Sequence, residues 1–144
     1  MHEYKCKIKK VVDGDTVDVD IDLGFGIWYL DQRIRLYGID TPESRTRDKV
    51  EKIYGNIAKD FLKTMLGKEG ILKTHKDAKG KFGRILGEFI VFDPEQDSWR
   101  SVNKIMIEKH LAVEYHGQSK DDIENEHLRN RELLEEKYID HLKM

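Results

Sequence analysis

The sequence predicts an α+β fold, a small antiparallel β-barrel carrying about three helices. Residues 4 to 39 alternate in the period of strands and are interrupted only by tight-turn residues. After Pro42 the apolar residues change to helical spacing, and two further strand-like runs follow before the helical C-terminal third. Charged and hydrophobic residues each make up 38% of the chain, and no apolar run approaches the ~18 residues of a membrane span, so the composition is that of a soluble globular protein.

The elements follow in order. YKCKIKKVV (4 to 12) and TVDVDIDL (16 to 23) carry β-branched and aromatic residues on either side of Asp13-Gly14-Asp15, a hairpin signature. Gly24-Phe25-Gly26 turns the chain into IWYLDQRIRLYGI (27 to 39), a third strand, with Gly38 marking a bulge or sharp bend near its end. Tyr54, Ala58, Phe61, Leu62, Met65 and Leu66 make one apolar stripe, a helix stopped by Gly67. GILKTH (70 to 75) and RILGEFIVF (84 to 92) supply the fourth and fifth strands, joined by the basic loop KDAKGKFG. Ser101 is the expected N-cap of a short helix burying Val102, Ile105 and Met106. A last helix is expected from about Asp121 or Asp122, with Ile123, His127, Leu134, Tyr138 and Leu142 on its inner stripe. Five strands with one inserted helix and two terminal ones fit a barrel of the OB type, in a single domain over residues 1 to 144.

Composition also narrows the chemistry. One cysteine, Cys6, excludes an internal disulfide framework and a multi-cysteine zinc site, and its place in a strand predicts burial. The six histidines show no metal-binding spacing. A net charge of -2 argues against a protein that coats nucleic acid indiscriminately. The charge is uneven, however: residues 45 to 84 hold twelve Lys/Arg against five Asp/Glu, so a local region can meet phosphate.

Most charged residues have an ordinary reading. Asp13-Gly14-Asp15-Thr16 is a good turn on backbone grounds alone, and Asp18, Asp20 and Asp22 alternate as a solvated strand face. Asp40 and Glu43 can decorate a loop before a helix, and KGKFGR (79 to 84) can be a solubilised hairpin loop. Arg33 and Arg35 fit this reading less well. They share one strand face, a poor arrangement unless an anion or acidic group lies there. With Arg84 at a strand start beyond a lysine-rich loop, the alternative is a phosphate clamp facing two acids.

VVDGDTV, RIRLYGIDTPE, YGNIA, KFGR, SVNKIMIEKHLAVEY and EHLR occur in an order and spacing that resembles the staphylococcal nuclease (thermonuclease) family, over nearly the whole chain. The resemblance implies a Ca²⁺-dependent phosphodiesterase acting on DNA and RNA, cutting the 5′ P–O bond and leaving a 3′ phosphate. It implies metal ligation by Asp15, Asp40 and the backbone carbonyl of Thr41, catalysis by Arg35, Glu43 and Arg84, and substrate contacts from Lys81, Phe82, Tyr115 and Lys49. Phe82 stands where the family has a tyrosine, keeping a stacking face but losing a hydroxyl. Ile57-Ala58 and His110 also depart from the usual pattern.

The expectations are therefore a monomeric nuclease without membrane or obligate protein partner, cytoplasmic in the absence of a visible leader. The alternatives are an inactive nucleic-acid-binding module of the same fold and a calcium-sensing or protein-interaction domain. The first is expected to have lost an acid or arginine, whereas all are present; the second leaves the paired arginines unexplained.

Overall fold

The computed structural model describes residues 2–79 and 85–142. Among the described residues, eight strands and three helices follow one another as β1 (His2–Asp13), β2 (Thr16–Gly24), β3 (Ile27–Leu36), β4 (Ile39–Asp40), α1 (Lys49–Leu66), β5 (Glu69–Lys79), β6 (Ile85–Asp93), β7 (Ser98–Ser101), α2 (Val102–Glu108), β8 (Val113–Glu114) and α3 (Lys120–Leu142).

The sheet runs in the order β3-β2-β1-β5-β6-β7, and a further β3–β6 pairing closes five of these strands into a barrel. Closure is parallel, with Ile34, Arg35 and Leu36 opposite Ile85, Leu86 and Gly87. The other barrel pairs are antiparallel. This is the expected OB-type barrel, and its interior is apolar: Val17, Val19, Ile34, Leu36, Leu72 and Phe89 are fully buried. Such a core supplies the dominant folding energy through the area it removes from water. Cys6 belongs to it, and burial pushes its thiol up to about 11, so it packs as a small apolar residue.

Helix α1 covers one end of the barrel as its periodicity predicts, burying Gly55, Ala58, Leu62 and Leu66, with Phe61 and Met65 packed beside them. The Asp48 carboxylate caps it by accepting from the backbone N–H of Val50 and Glu51 at 3.1 and 3.2 Å, and Gly67 ends it at φ +64°. Helix α2 buries Val102, Ile105 and Met106, also as expected. Ser101 precedes it, but the hydroxyl donates to Glu88 at 3.0 Å instead of capping the helix. Ser119 takes the capping role at α3, its hydroxyl accepting from Asp122 N–H at 3.1 Å. Among the described residues no helix is long and apolar enough to cross a membrane.

Three features depart from the sequence reading. The third strand stops at Leu36; Gly38 takes φ +76°, and Ile39–Asp40 resumes as a separate strand paired with Val113–Glu114. The expected bend is thus a clean break. A short hairpin, Phe92 opposite Trp99, extends the sheet through β7, which the polar Ser98–Ser101 run did not signal. Asp20 is buried rather than solvated. The β2–β3 register shifts between Val19 and Ile21, Asp31 adopts φ +54°, and its N–H donates to the Asp20 carboxylate at 2.9 Å. The irregular register therefore places backbone over one of the three alternating aspartates, and the Lys9 ammonium, 3.6 Å away, completes its cover.

Gly55 lets α1 approach the loop that carries Glu43. A Cβ at that position would lie 2.3 Å from the Glu43 carbonyl oxygen, which is backbone and cannot swing aside. In an open helix Gly→Ala gains roughly 0.5–1 kcal/mol; here Gly55→Ala is expected to cost about 1–3 kcal/mol by overpacking. Urea denaturation of the two proteins measures the sign directly.

Candidate active site

Two neighbouring strands and one turn assemble the charged cluster. Arg35 is the penultimate residue of β3, opposite Thr16 of β2, so its side chain emerges beside the turn that holds Asp15. Its Nη1 lies 3.3 Å from Asp15 Oδ2 and its Nη2 lies 3.6 Å from Asp40 Oδ1. One guanidinium therefore spans both acids. The break at Gly38 makes this possible, because an unbroken strand puts positions 35 and 40 on opposite faces.

The backbone fixes the same arrangement. Leu36 N–H donates to the Asp15 carbonyl at 2.8 Å, and Thr41 N–H donates to Asp15 Oδ2 at 3.3 Å. The Thr16 hydroxyl donates to Asp15 Oδ1 at 3.0 Å. Asp13, on the other side of Gly14, accepts from the Ser44 hydroxyl at 2.5 Å and from Ser44 N–H at 3.2 Å, tying the turn to the loop around Glu43. Arg33 has a structural partner: its guanidinium donates to both Asp18 oxygens, at 2.8 and 3.1 Å. Arg33 thus meets Asp18 on β2 while Arg35 meets Asp15 in the preceding turn, one couple structural and the other at the site.

Asp15 is the more deeply placed of the two shifted acids in the cluster. Burial pushes its carboxyl above the usual range, Arg35 opposes that, and the nearby Asp40 charge adds to it. Glu43 is exposed, yet its carboxyl is also raised, by partial desolvation first and then by Glu51, Asp13, Asp15 and Asp40. The Thr41 hydroxyl beside them is buried without a hydrogen-bond partner among the described residues.

A cleft of about 580 Å³ opens over these groups. Asp40, Thr41, Glu43, Glu51, Tyr115 and His127 contribute to its wall. Asp15 and Arg35 are not part of that wall and meet it through Thr41 and Asp40 respectively. Tyr115 is held there by its N–H donating to the Gly38 carbonyl at 2.8 Å, and its ring is half exposed. Lys49 opens α1, exposed to solvent and outside the cleft wall. Lys81, Phe82 and Arg84 lie outside the described residues.

His127 is the residue of this cleft that its sequence context did not reveal. From α3 its Nε2 meets Asp40 Oδ2 at 2.7 Å, holding the carboxylate on the side opposite Arg35, while its Nδ1 is buried without a described partner. Asn130, one turn on, donates to the Ala112 carbonyl at 3.2 Å, and Tyr54 of α1 donates to Glu135 at 3.0 Å, so α3 is moored on both sides of the cleft. The stripe position of His127 was visible, but a helical stripe does not say which acid it meets.

The folded value of Asp15 lies above its unfolded one, so protonation favours the fold; the cost of the charged form is absent at low pH and develops as pH rises through the raised value. With divalent cations chelated, Asp15→Asn is therefore expected to raise the urea midpoint near neutral pH. The gain should shrink as pH falls toward the ordinary value of 3.8. Parallel denaturation series of both proteins check this.

Residues 33–137 match the model of the staphylococcal nuclease homologue family. The chain is 36% identical over 80 residues to the thermonuclease of Staphylococcus intermedius, a match covering 55% of this chain and 44% of that protein. It is 35% identical over 86 residues to the thermonuclease of Staphylococcus hyicus, covering 59% and 47% respectively. Against endonuclease YhcR of Bacillus subtilis (strain 168) the identity is 31% over 120 residues, 78% of this chain but 9% of that much longer protein. The chain thus spans less than half the length of each of these relatives.

Proposed function

Because the chain belongs to the staphylococcal nuclease family, we propose that this cleft hydrolyses phosphodiester bonds of DNA and RNA, endonucleolytically and with Ca²⁺, breaking the 5′ P–O bond to leave a 3′ phosphate. The observation that carries the reading is the convergence of Asp15 and Asp40 on the single Arg35 guanidinium at the edge of a cleft.

The donor set suits a hard cation. Asp15 and Asp40 offer carboxylate oxygens, burial and the Asp40 charge both disfavour an uncompensated Asp15, and no thiol or imidazole is needed. Asp15, Asp40 and the Thr41 carbonyl would hold the ion, with waters and a substrate phosphate filling a shell of about six to eight oxygens. The bound ion supplies Lewis-acid polarisation of the phosphoryl oxygen and a positioned water.

The remaining work belongs to the chain. Glu43, raised and exposed at the cleft wall, takes a proton from the attacking water. A carboxylate held above its usual value is the stronger base for that step. Arg35 has an Nε–H and a second Nη2 hydrogen uncommitted among the described residues, donors for the charge that grows on the phosphate oxygens. Arg84 carries the second such role by resemblance, with Lys81 and Phe82 just before it in sequence as substrate contacts. Tyr115 presents a ring for a base, and Lys49 a more distant charge for the backbone. His127 keeps Asp40 turned toward the ion site.

Digestion of plasmid and single-stranded DNA with Ca²⁺ or EDTA tests the proposal. Cutting by the wild type should require Ca²⁺, and Arg35→Gln and Glu43→Gln should each lower kcat by about 10²–10³. Arg35→Lys should rescue little, because lysine keeps the charge but loses the fork. A wild type that does not cut in Ca²⁺ contradicts the activity; equal rates for wild type and Arg35→Gln contradict the site.

A further inference from the structure

The cleft over Asp40 and Glu43 has two unlike walls. On one side stand Asp40, Glu43, Asp48 and Glu51; on the other lies one face of α3, where Lys120, Glu124, His127 and Arg131 recur at helical spacing. Five acids thus line the cleft with three basic residues. A nucleic-acid strand is repelled from such a place unless acids are occupied and a cation stands ready for its phosphates.

Part of the acidic charge is occupied. Asp40 lies between Arg35 and His127, and the Asp48 carboxylate caps α1. Glu135, one turn beyond Arg131, accepts from the Tyr54 hydroxyl. Glu43, Glu51 and Glu124 make no ion pair among the described residues, and they are the charges with which Arg131 would be expected to pair.

Arg131 pairs with none of them among the described residues. Its guanidinium lies instead over the Tyr54 ring, 5.4 Å from the centroid. Its Nε is buried with no hydrogen-bond partner among the described residues, so the donors it presents to the cleft are those of its two Nη groups. An arginine needed only to fasten α3 to α1 would duplicate the Tyr54–Glu135 bond. A guanidinium held by a ring, and not by a carboxylate, keeps its fork for another anion.

Its position says which anion. Arg131 follows His127 by one turn of α3, about 6 Å along the axis, and His127 touches Asp40, beside which the scissile phosphate is proposed to bind. That offset is of the order of the step from one backbone phosphate to the next. We infer that Arg131 binds the phosphate adjacent to the scissile one, so that α3 forms a substrate-binding wall and the cleft grips a strand at two successive phosphates. The inference rests on the nuclease reading of the cleft, which supplies the identity of the ligand. A dinucleotide, with its single linkage, cannot use this second grip, so the cleft favours longer strands.

Fluorescence anisotropy with labelled thymidine tetranucleotides tests it, in Ca²⁺ and in a Glu43→Gln background that keeps the probe from being cut. One probe carries phosphate at every linkage; the other keeps the central phosphate between uncharged methylphosphonates. Arg131→Gln is expected to weaken the charged probe about tenfold and to lower its salt slope by about 0.7, as for one single-strand phosphate contact. The probe with neutral flanks should change by less than about twofold. Arg131→Lys should keep the slope and lose only part of the affinity. Both probes meet the same protein, so a smaller folded fraction weakens both alike and cannot imitate the difference. Unchanged binding of the charged probe, or equal weakening of both probes, overturns the inference. Failure of the wild type to cut plasmid overturns the activity instead, and the difference between the probes still decides the subsite.

Discussion

The arrangement of this protein turns on one guanidinium held between two carboxylates. Asp15 and Asp40 come from different elements and repel each other in a partly buried place, where like charges are costly. Arg35 makes their proximity tolerable by reaching both, at 3.3 and 3.6 Å. For Arg35 to stand there, β3 must end beside the first turn, and the parallel β3–β6 pairing at residues 34 to 36 anchors that end of the strand. For Asp40 to face it, the chain must break at Gly38 and re-pair with Val113–Glu114. Barrel closure, the glycine break and the small β4–β8 pair are thus three conditions for one contact.

What the sequence made legible was mostly local. The turn at Asp13-Gly14-Asp15, the stripe of α1, its stop at Gly67 and the run from Arg35 to Glu43 are each written within a few residues of one another. The OB-type barrel could be read from five alternating runs and their order. The Arg35–Asp40 proximity needed one further thought, that Gly38 must relieve strand alternation, and it does so by a complete break.

What stayed hidden depended on contacts distant in sequence or on register. His127 meets Asp40 across 87 residues, and nothing in the spacing of α3 names its partner. Arg33 had no assignable role until the β2–β3 register put Asp18 opposite it. Asp20 followed the alternation of a solvated face but is covered by the bulged opposing strand, whose Asp31 N–H it accepts, and by Lys9. The β7 strand, polar and four residues long, is held by pairing with β6 and not by any pattern of its own. Ser101 had the right residue type for a cap, and the competing acceptor Glu88 claimed its hydroxyl.

If the two acids form a site for a cation, that ion must bind the folded chain through both, and ligand linkage makes this visible without any substrate. The most direct measurement is the thermal midpoint of the wild type, Asp15→Asn and Asp40→Asn across a Ca²⁺ titration. The account predicts a midpoint that climbs with Ca²⁺ for the wild type and stays flat for both variants. A climb of the same size in all three, or none in the wild type, would contradict it.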